Sequence, residues 1–104
     1  MLKKEITCPL HYTMTLIGTK WKPLILFHLI EGPLRSGVLQ KQIPEISNKM
    51  FTQSVRELEK DGLINRKIYP VVPPKVEYEL TKKGLSLKSI LKSLDLWGSE
   101  HFKL

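Results

Sequence analysis

The chain has 104 residues, enough for one compact domain and too few for two. Its composition is 41% hydrophobic and 26% charged, which is typical of a globular protein and excludes a disordered chain. Its formal net charge of +7 favours a polyanionic partner, either nucleic acid or an anionic membrane surface.

Two helices are predicted in the first third of the chain. The segment 9–17 places apolar residues at helical spacing after a proline, and Gly18 is expected to end this helix. A second helix follows "TKW", with Pro23 in its first turn, where proline is tolerated. Its run "LILFHLI" is apolar on nearly every side, which indicates a buried element that "EGP" ends.

The next two elements form a helix-turn-helix pattern. "LRSGVLQKQIPEI" predicts a short extended piece and a short helix that ends before Pro44. Ser47 can cap the following helix, "NKMFTQSVRELEKD". Gly62 can adopt the left-handed backbone conformation that commonly ends a helix. The predicted inner face of this second helix consists of Met50, Val55 (or Ser54) and Leu58. Two short helices joined by a tight turn, the second amphipathic, are typical of this motif.

Two segments then alternate apolar and polar residues as strands do. In "LINRKIY" the residues Ile64, Arg66 and Ile68 share one face, and in "KVEYEL" the alternating apolar residues do the same. Joined by "PVVPP", the segments predict a hairpin whose inner face lies on the helices.

A closing helix is predicted to start at Thr81 as its cap. It carries an apolar stripe made of Leu87, Ile90, Leu91, Leu94 and Trp97. The stripe fits either the core or a subunit interface. Because two apolar helices and a hairpin already fill the core of a chain this size, we favour the interface.

This order of elements is that of a winged helix, and the residues resemble one family closely. The resemblance runs from about Cys8 to Gly98 through "CPL", "LIGTKWKPLIL", "GPLR", the long run from Ile43 to Gly84 and "LWG". Over this length the chain resembles the HxlR-type transcriptional regulators, which are similar in architecture to the MarR-type regulators. The expected fold is therefore mainly α with a small β-hairpin, as one winged helix-turn-helix domain over residues 1–104.

The resemblance implies a homodimeric, cytoplasmic, bacterial DNA-binding protein that represses or activates nearby genes. It further implies that the terminal elements, at about 8–17 and 82–102, build the dimer. The helix from Ser47 to Lys60 would enter the major groove, and the hairpin would meet the flanking backbone or minor groove. Several relatives sense oxidants or electrophiles through a cysteine at the position of Cys8.

The side chains of the second helix suit DNA contact. Asn and Gln can bond adenine, Arg and Lys reach guanine or phosphate, and Thr can meet a thymine methyl. Ser47 can cap the helix, bond a phosphate, or do both. Glu57 and Glu59 would repel phosphate and are expected to face elsewhere. The positions expected to face outward are Asn48, Lys49, Thr52, Gln53, Arg56 and Lys60.

Four lysines elsewhere are further candidates for DNA contact. Lys67 and Lys75 flank the hairpin turn and could straddle a sugar-phosphate strand. Lys67 shares a strand face with Glu77, so an ion pair is the alternative, and Lys75, with fewer expected partners, is favoured for DNA. Lys20 and Lys22 flank the start of the second helix, where a phosphate contact and a solvated loop are equally good interpretations.

Cys8 is the single cysteine, which excludes a disulfide framework within the chain and a cysteine-cluster zinc site. Its place at the start of a helix favours a thiolate and oxidant sensing, and the alternative is an unreactive residue in the dimer. No segment approaches the roughly 20 apolar residues of a membrane span, and "MLKKEITCPL" lacks a signal-peptide core. We expect a cytoplasmic protein without membrane association.

Other functions remain as alternatives. Cys8 and His11 have a C-x-x-H spacing, with His101 available from a dimer, so a metal-responsive winged helix is the runner-up. A winged helix that binds RNA or protein is another. An enzyme is not expected, since no phosphate loop, paired carboxylates or activated nucleophile is recognisable, and no cofactor is implied.

Overall fold

The computed structural model describes residues 8–102; the remainder of the domain expected over 1–104 lies outside the described residues. In chain order the elements are α1 (Pro9–Ile17), α2 (Lys22–His28), β1 (Leu34–Arg35), α3 (Ser36–Lys41), α4 (Asn48–Lys60), β2 (Ile64–Tyr69), β3 (Lys75–Leu80), α5 (Lys82–Leu85) and α6 (Lys88–His101).

The first two helices begin and end close to their predicted signals. α1 starts at Pro9, and the backbone N–H of Gly18 donates to the carbonyl of Met14 at 2.8 Å, which confirms the predicted end. α2 carries its proline in the first turn, as expected. It ends at His28, two residues before the apolar run does, because the backbone N–H of Leu29 turns to the carbonyl of Leu26 and tightens the chain.

α3 and α4 form the predicted helix-turn-helix. The hydroxyl of Ser47 accepts a hydrogen bond from the backbone N–H of Met50 at 3.0 Å, so this residue is the N-cap. Gly62 has a φ of +77°, which confirms the left-handed residue after the helix. Of the predicted inner face, Ser54, Val55 and Leu58 are buried and Met50 is half-buried against the core, but the prediction omitted Phe51. The buried residues of α4 are Phe51, Ser54, Val55 and Leu58.

The sheet has three antiparallel strands in the order β1-β3-β2. β2 and β3 form the predicted hairpin, with Ile64 opposite Leu80 and Tyr69 opposite Lys75. β1 adds a third strand, with Leu34 opposite Tyr78, where the sequence indicated only an extended piece. The wing is the hairpin β2–β3 with its tip 70–74.

The single closing helix predicted from Thr81 is two helices. The hydroxyl of Thr81 accepts from the backbone N–H of Gly84 at 3.0 Å, so the predicted cap is confirmed for α5. A Cβ atom at Gly84 would collide with the carbonyl oxygen of Leu63, so α5 lies directly against backbone. The chain then turns at Ser86 before α6 begins.

One core joins all of these elements except α5. It draws Ile17 from α1, Ile25 and Leu26 from α2, Leu39 from α3, and Leu91 from α6, beside the buried residues of α4 and the sheet. Within residues 8–102, no helix has both the length and the apolar character needed to cross a membrane. The mainly helical architecture with a small antiparallel sheet confirms the expected fold class.

Candidate nucleic-acid interface

One face of α4 presents polar side chains to solvent. Five of the predicted residues line one shallow depression, which Glu57 also borders. We call the five predicted residues the reading face: Asn48, Lys49, Thr52, Gln53 and Arg56. All five are exposed, because the apolar residues of α4 occupy its opposite side. Lys60 is also exposed, in the last turn of the helix. A face of amide, hydroxyl and cationic groups has the donors and acceptors that base edges and phosphates require.

The reading face is anchored at its N-terminal end. Ser47 is exposed and its hydroxyl oxygen accepts from the backbone, so it serves as a cap in this structure. The side-chain oxygen of Asn48 accepts a hydrogen bond from the amide of Gln40 in α3. The two helices of the motif are therefore linked by a polar contact at the edge of the reading face.

Glu57 was expected to face away from the reading face, but it lies beside it. Its carboxylate accepts from the Gln53 amide nitrogen at 3.1 Å and lies 2.6 Å from the Lys22 ammonium. The hydrogen bond from Lys22, followed by that from Gln53, lowers the pKa of Glu57. Glu57 therefore stays ionised at neutral pH and neutralises a lysine instead of meeting solvent alone.

Lys22 fits neither of the two interpretations weighed for it, a phosphate contact or a place in a solvated loop. Its side chain is only 7% exposed, and its ammonium is held by Glu57. Lys20 remains exposed, with its ammonium 4.6 Å from the ring centroid of the half-buried Trp21. Lys20 can turn toward a phosphate, whereas Lys22 could do so only by leaving Glu57.

The wing lysines both have partners. Lys67 lies opposite Glu77 in the hairpin register, but its ammonium pairs with Glu79 at 3.3 Å, so the expected partner is wrong. The hydrogen bond with Glu79 raises the pKa of Lys67. Lys75, expected to have few partners, pairs with Glu77 at 3.5 Å and lies 4.5 Å from the ring centroid of Tyr69.

The partners of Lys75 also bind each other. The Tyr69 hydroxyl donates to Glu77 at 3.0 Å, and this hydrogen bond raises the pKa of Tyr69. Lys75 is therefore held beside the tip of the wing by a carboxylate and an aromatic ring. The reason for preferring it over Lys67 as a DNA contact does not hold.

Arg66 is a candidate that sequence reasoning missed. It was assigned to the inner face of the hairpin, yet it is exposed. It borders a recess shared with Thr52 and Arg56 of the reading face and with Tyr78 of β3. The signal was present in the sequence, since a charged residue interrupts an otherwise apolar strand face between Ile64 and Ile68.

The apolar stripe of the closing helix divides between core and surface. Leu91 is 3% exposed and Leu87 packs against the core, so these two do not form a free interface as predicted. Ile90, Leu94 and Trp97 are exposed. One side of α6 therefore faces the core and the other faces outward. α1 exposes further large side chains, namely Leu10, Tyr12 and Met14.

Cys8 is exposed and is the N-cap residue of α1 without a side-chain capping bond.

The imidazole of His101, at the other end of the chain, stacks on the Trp97 ring at 4.1 Å. Among the described residues, no group of three or more His, Cys, Asp and Glu side chains is arranged to hold a metal ion.

Comparisons with known proteins agree with this architecture. A family model described as HxlR-like helix-turn-helix matches residues 16–104. The uncharacterised HTH-type transcriptional regulator YtcD of Bacillus subtilis (strain 168) is 50% identical over 101 residues, which cover 97% of this chain and 80% of YtcD.

Solved structures extend the comparison to the fold. The redox regulator HypR in its oxidised form is similar with a TM-score of 0.88 and 39% identity, over 93% of this chain and all of that one. A chain from Porphyromonas gingivalis W83 assigned to the MarR family has a TM-score of 0.90 and 37% identity, over 93% of this chain and 95% of that one. The chain therefore belongs to the HxlR-like helix-turn-helix family of transcriptional regulators.

Proposed function

We propose that this protein is a homodimeric regulator that binds duplex DNA in a sequence-specific manner through the reading face of α4. The observation that carries the proposal is the set of five exposed polar residues on one side of the second helix of the motif. The net charge of +7 provides the attraction to the phosphate backbone. The same binding would repress or activate nearby genes in the cytoplasm.

The N-terminal half of α4 enters the major groove in this proposal. Lys49, Thr52 and Gln53 meet base edges, since residues near the start of a recognition helix lie deepest. Arg56 contacts a base or a phosphate, and Arg66 joins it from the neighbouring strand. Ser47 and Lys20 contact the flanking backbone, where a hydroxyl or a cation can meet a phosphate.

The wing contacts the backbone or minor groove beside the major-groove site. Lys67 and Lys75 contribute positive charge there while they remain near their carboxylate partners. The tip itself is apolar and exposed at Val71 and Val72, and the neighbouring prolines lack N–H donors. Such a tip can lie against a sugar without offering an edge for strand pairing.

The dimer forms through α1 and α6. Their outward apolar side chains would be covered by the same surface of a second copy, as two-fold symmetry requires. The two reading helices would then lie about 34 Å apart, one turn of duplex DNA. The proposed partner is therefore a pseudo-palindromic operator in double-stranded DNA.

Footprinting on the DNA upstream of the protein's own gene and of divergent genes tests the proposal. We expect one protected pseudo-palindrome and a linear fall of log affinity with log salt concentration. Lys20→Ala should lower the steepness of that line by about one unit, because Lys20 is proposed to contact a phosphate. Lys82→Ala removes the same charge from α5, away from the reading face, and should leave the slope unchanged. Protection without sequence preference would contradict the proposal.

Cys8 is the proposed site of a response to oxidants. The exposed thiol at the N-terminal end of α1 and the similarity to the redox regulator HypR support this role. Two Cys8 thiols, one from each subunit, can give up two electrons and two protons to diamide and form a disulfide. With a small thiol, one Cys8 forms a mixed disulfide in the same way.

Cys8→Ser should separate DNA binding from this response. We expect diamide to change the operator affinity of the wild type by about tenfold, and to leave that of the variant unchanged. Titration of a labelled operator, with and without diamide, measures both. A variant that responds as the wild type does would exclude Cys8 as the sensor.

A further inference from the structure

Three polar side chains connect the start of α2 to the reading face. The Lys22 ammonium lies 2.6 Å from one carboxylate oxygen of Glu57, and the Gln53 amide nitrogen donates to the other at 3.1 Å. Lys22 is buried, whereas Glu57 is partly exposed and Gln53 is exposed. A buried charge thus fixes a carboxylate that in turn contacts a residue proposed to meet a base.

The chemistry of Glu57 determines how the Gln53 amide is oriented. An ionised carboxylate has only acceptors, so Gln53 must point its amide nitrogen, not its oxygen, toward Glu57. One of the two amide hydrogens is used in this contact. The oxygen and the second hydrogen of Gln53 remain for another partner. Together they offer one acceptor and one donor.

We infer that Lys22 and Glu57 are positioning residues that orient Gln53 to select adenine. In the major groove adenine presents one acceptor, N7, and one donor, the N6 amino group, which complement the free oxygen and N–H of Gln53. Guanine presents two acceptors there and does not match this orientation. The inference rests on the proposed function, and it assigns base selection to two residues that touch no base.

Glu57→Gln reverses the orientation without removing the acceptor for Lys22. The oxygen of the new amide accepts from Lys22, and its nitrogen then donates toward Gln53. The side-chain oxygen of Gln53 must then accept this hydrogen bond, so both of its amide hydrogens point away from position 57. Two donors complement the N7 and O6 acceptors of guanine.

Selection from a randomised duplex library tests this inference on the full chain. We expect the wild type to select adenine at one position in each half-site, and Gln53→Ala to lose that preference. Glu57→Gln should replace adenine by guanine at the same position, with a change in relative affinity of about fivefold or more. A loss of folding stability alone would weaken binding to all sequences and leave the preferred base unchanged.

The outcomes separate the two proposals. If the wild type selects no common sequence, sequence-specific binding fails, and this inference with it. If the wild type and Gln53→Ala behave as expected and Glu57→Gln still selects adenine, only the inference is overturned. If adenine at that position survives in Gln53→Ala, the inference is likewise overturned.

A second variant serves if Glu57→Gln does not fold. Lys22→Met combined with Glu57→Met removes both charges, so no unpaired ammonium is left in the interior. Gln53 is then free to rotate, and the adenine preference should weaken without changing to guanine. Full retention of that preference in the double variant would overturn the inference.

Discussion

Leu94→Asp is expected to convert the proposed dimer to a monomer. Leu94 is 57% exposed on the outward side of α6, beside Ile90 and Trp97. A carboxylate at the centre of the proposed interface would be buried without a partner. The free-energy cost of burying that charge exceeds what the remaining apolar contacts of the interface can offset. Because two linked half-sites bind far more tightly than one, operator affinity should fall by about 100-fold or more.

Light scattering on a sizing column measures the subunit number, and titration of a two-half-site operator measures the affinity. Leu94→Met is the matched control, since it keeps an apolar side chain of similar volume. Leu91 still anchors α6 in the core of the monomer, so the secondary structure should persist in both variants. A variant that remains a dimer would exclude this face of α6 as the interface.

Phe51→Ala should lower the free energy of unfolding by about 3–5 kcal/mol. Phe51 is 3% exposed behind the reading face, and its ring meets Tyr78 of β3 edge-to-face at a centroid distance of 6.3 Å. The loss is a large share of the roughly 5–15 kcal/mol that stabilises a typical domain. Since this ring fixes α4 against the sheet, operator binding should decline with it.

Urea denaturation measures this loss, at one fixed protein concentration because the stability of the proposed dimer would depend on concentration. Met50→Ala is the control from the neighbouring position. Met50 is half-buried, and its truncation should cost about 1 kcal/mol. Equal losses for the two variants would contradict the assignment of Phe51 to the core and Met50 to its edge.

Helix and turn signals that act within a few residues were predictable from the sequence. Ser47 caps α4 and Gly62 follows its end because each satisfies backbone geometry in its own neighbourhood. The alternation in β2 and β3 likewise predicted the two paired strands, although of Ile64, Arg66 and Ile68 on the predicted inner face only Ile64 is buried. These features need no knowledge of distant segments.

Contacts between distant segments were not predictable in the same way. From the sequence alone Lys22 looks like a surface lysine. In the structure it is buried, because Glu57 on another helix neutralises its charge. The pairing of β1 with β3 and the inward turn of Leu91 also depend on how the helices pack. The residues proposed for DNA contact on α4 were predictable as outward, because helical periodicity separates them from the core, but the expectation that Glu57 faces elsewhere was wrong. The orientation of Gln53 was not predictable either.

The close approach of Gly84 to Leu63 restricts which residue position 84 can hold. A side chain there would overlap the carbonyl oxygen of Leu63 and crowd the side chain of Leu80, so α5 would have to move away from the start of the hairpin. α5 leads directly into α6, which carries the proposed dimer surface. In the proposed dimer, a substitution at Gly84 would therefore disturb the separation of the two reading helices rather than the bases that α4 contacts.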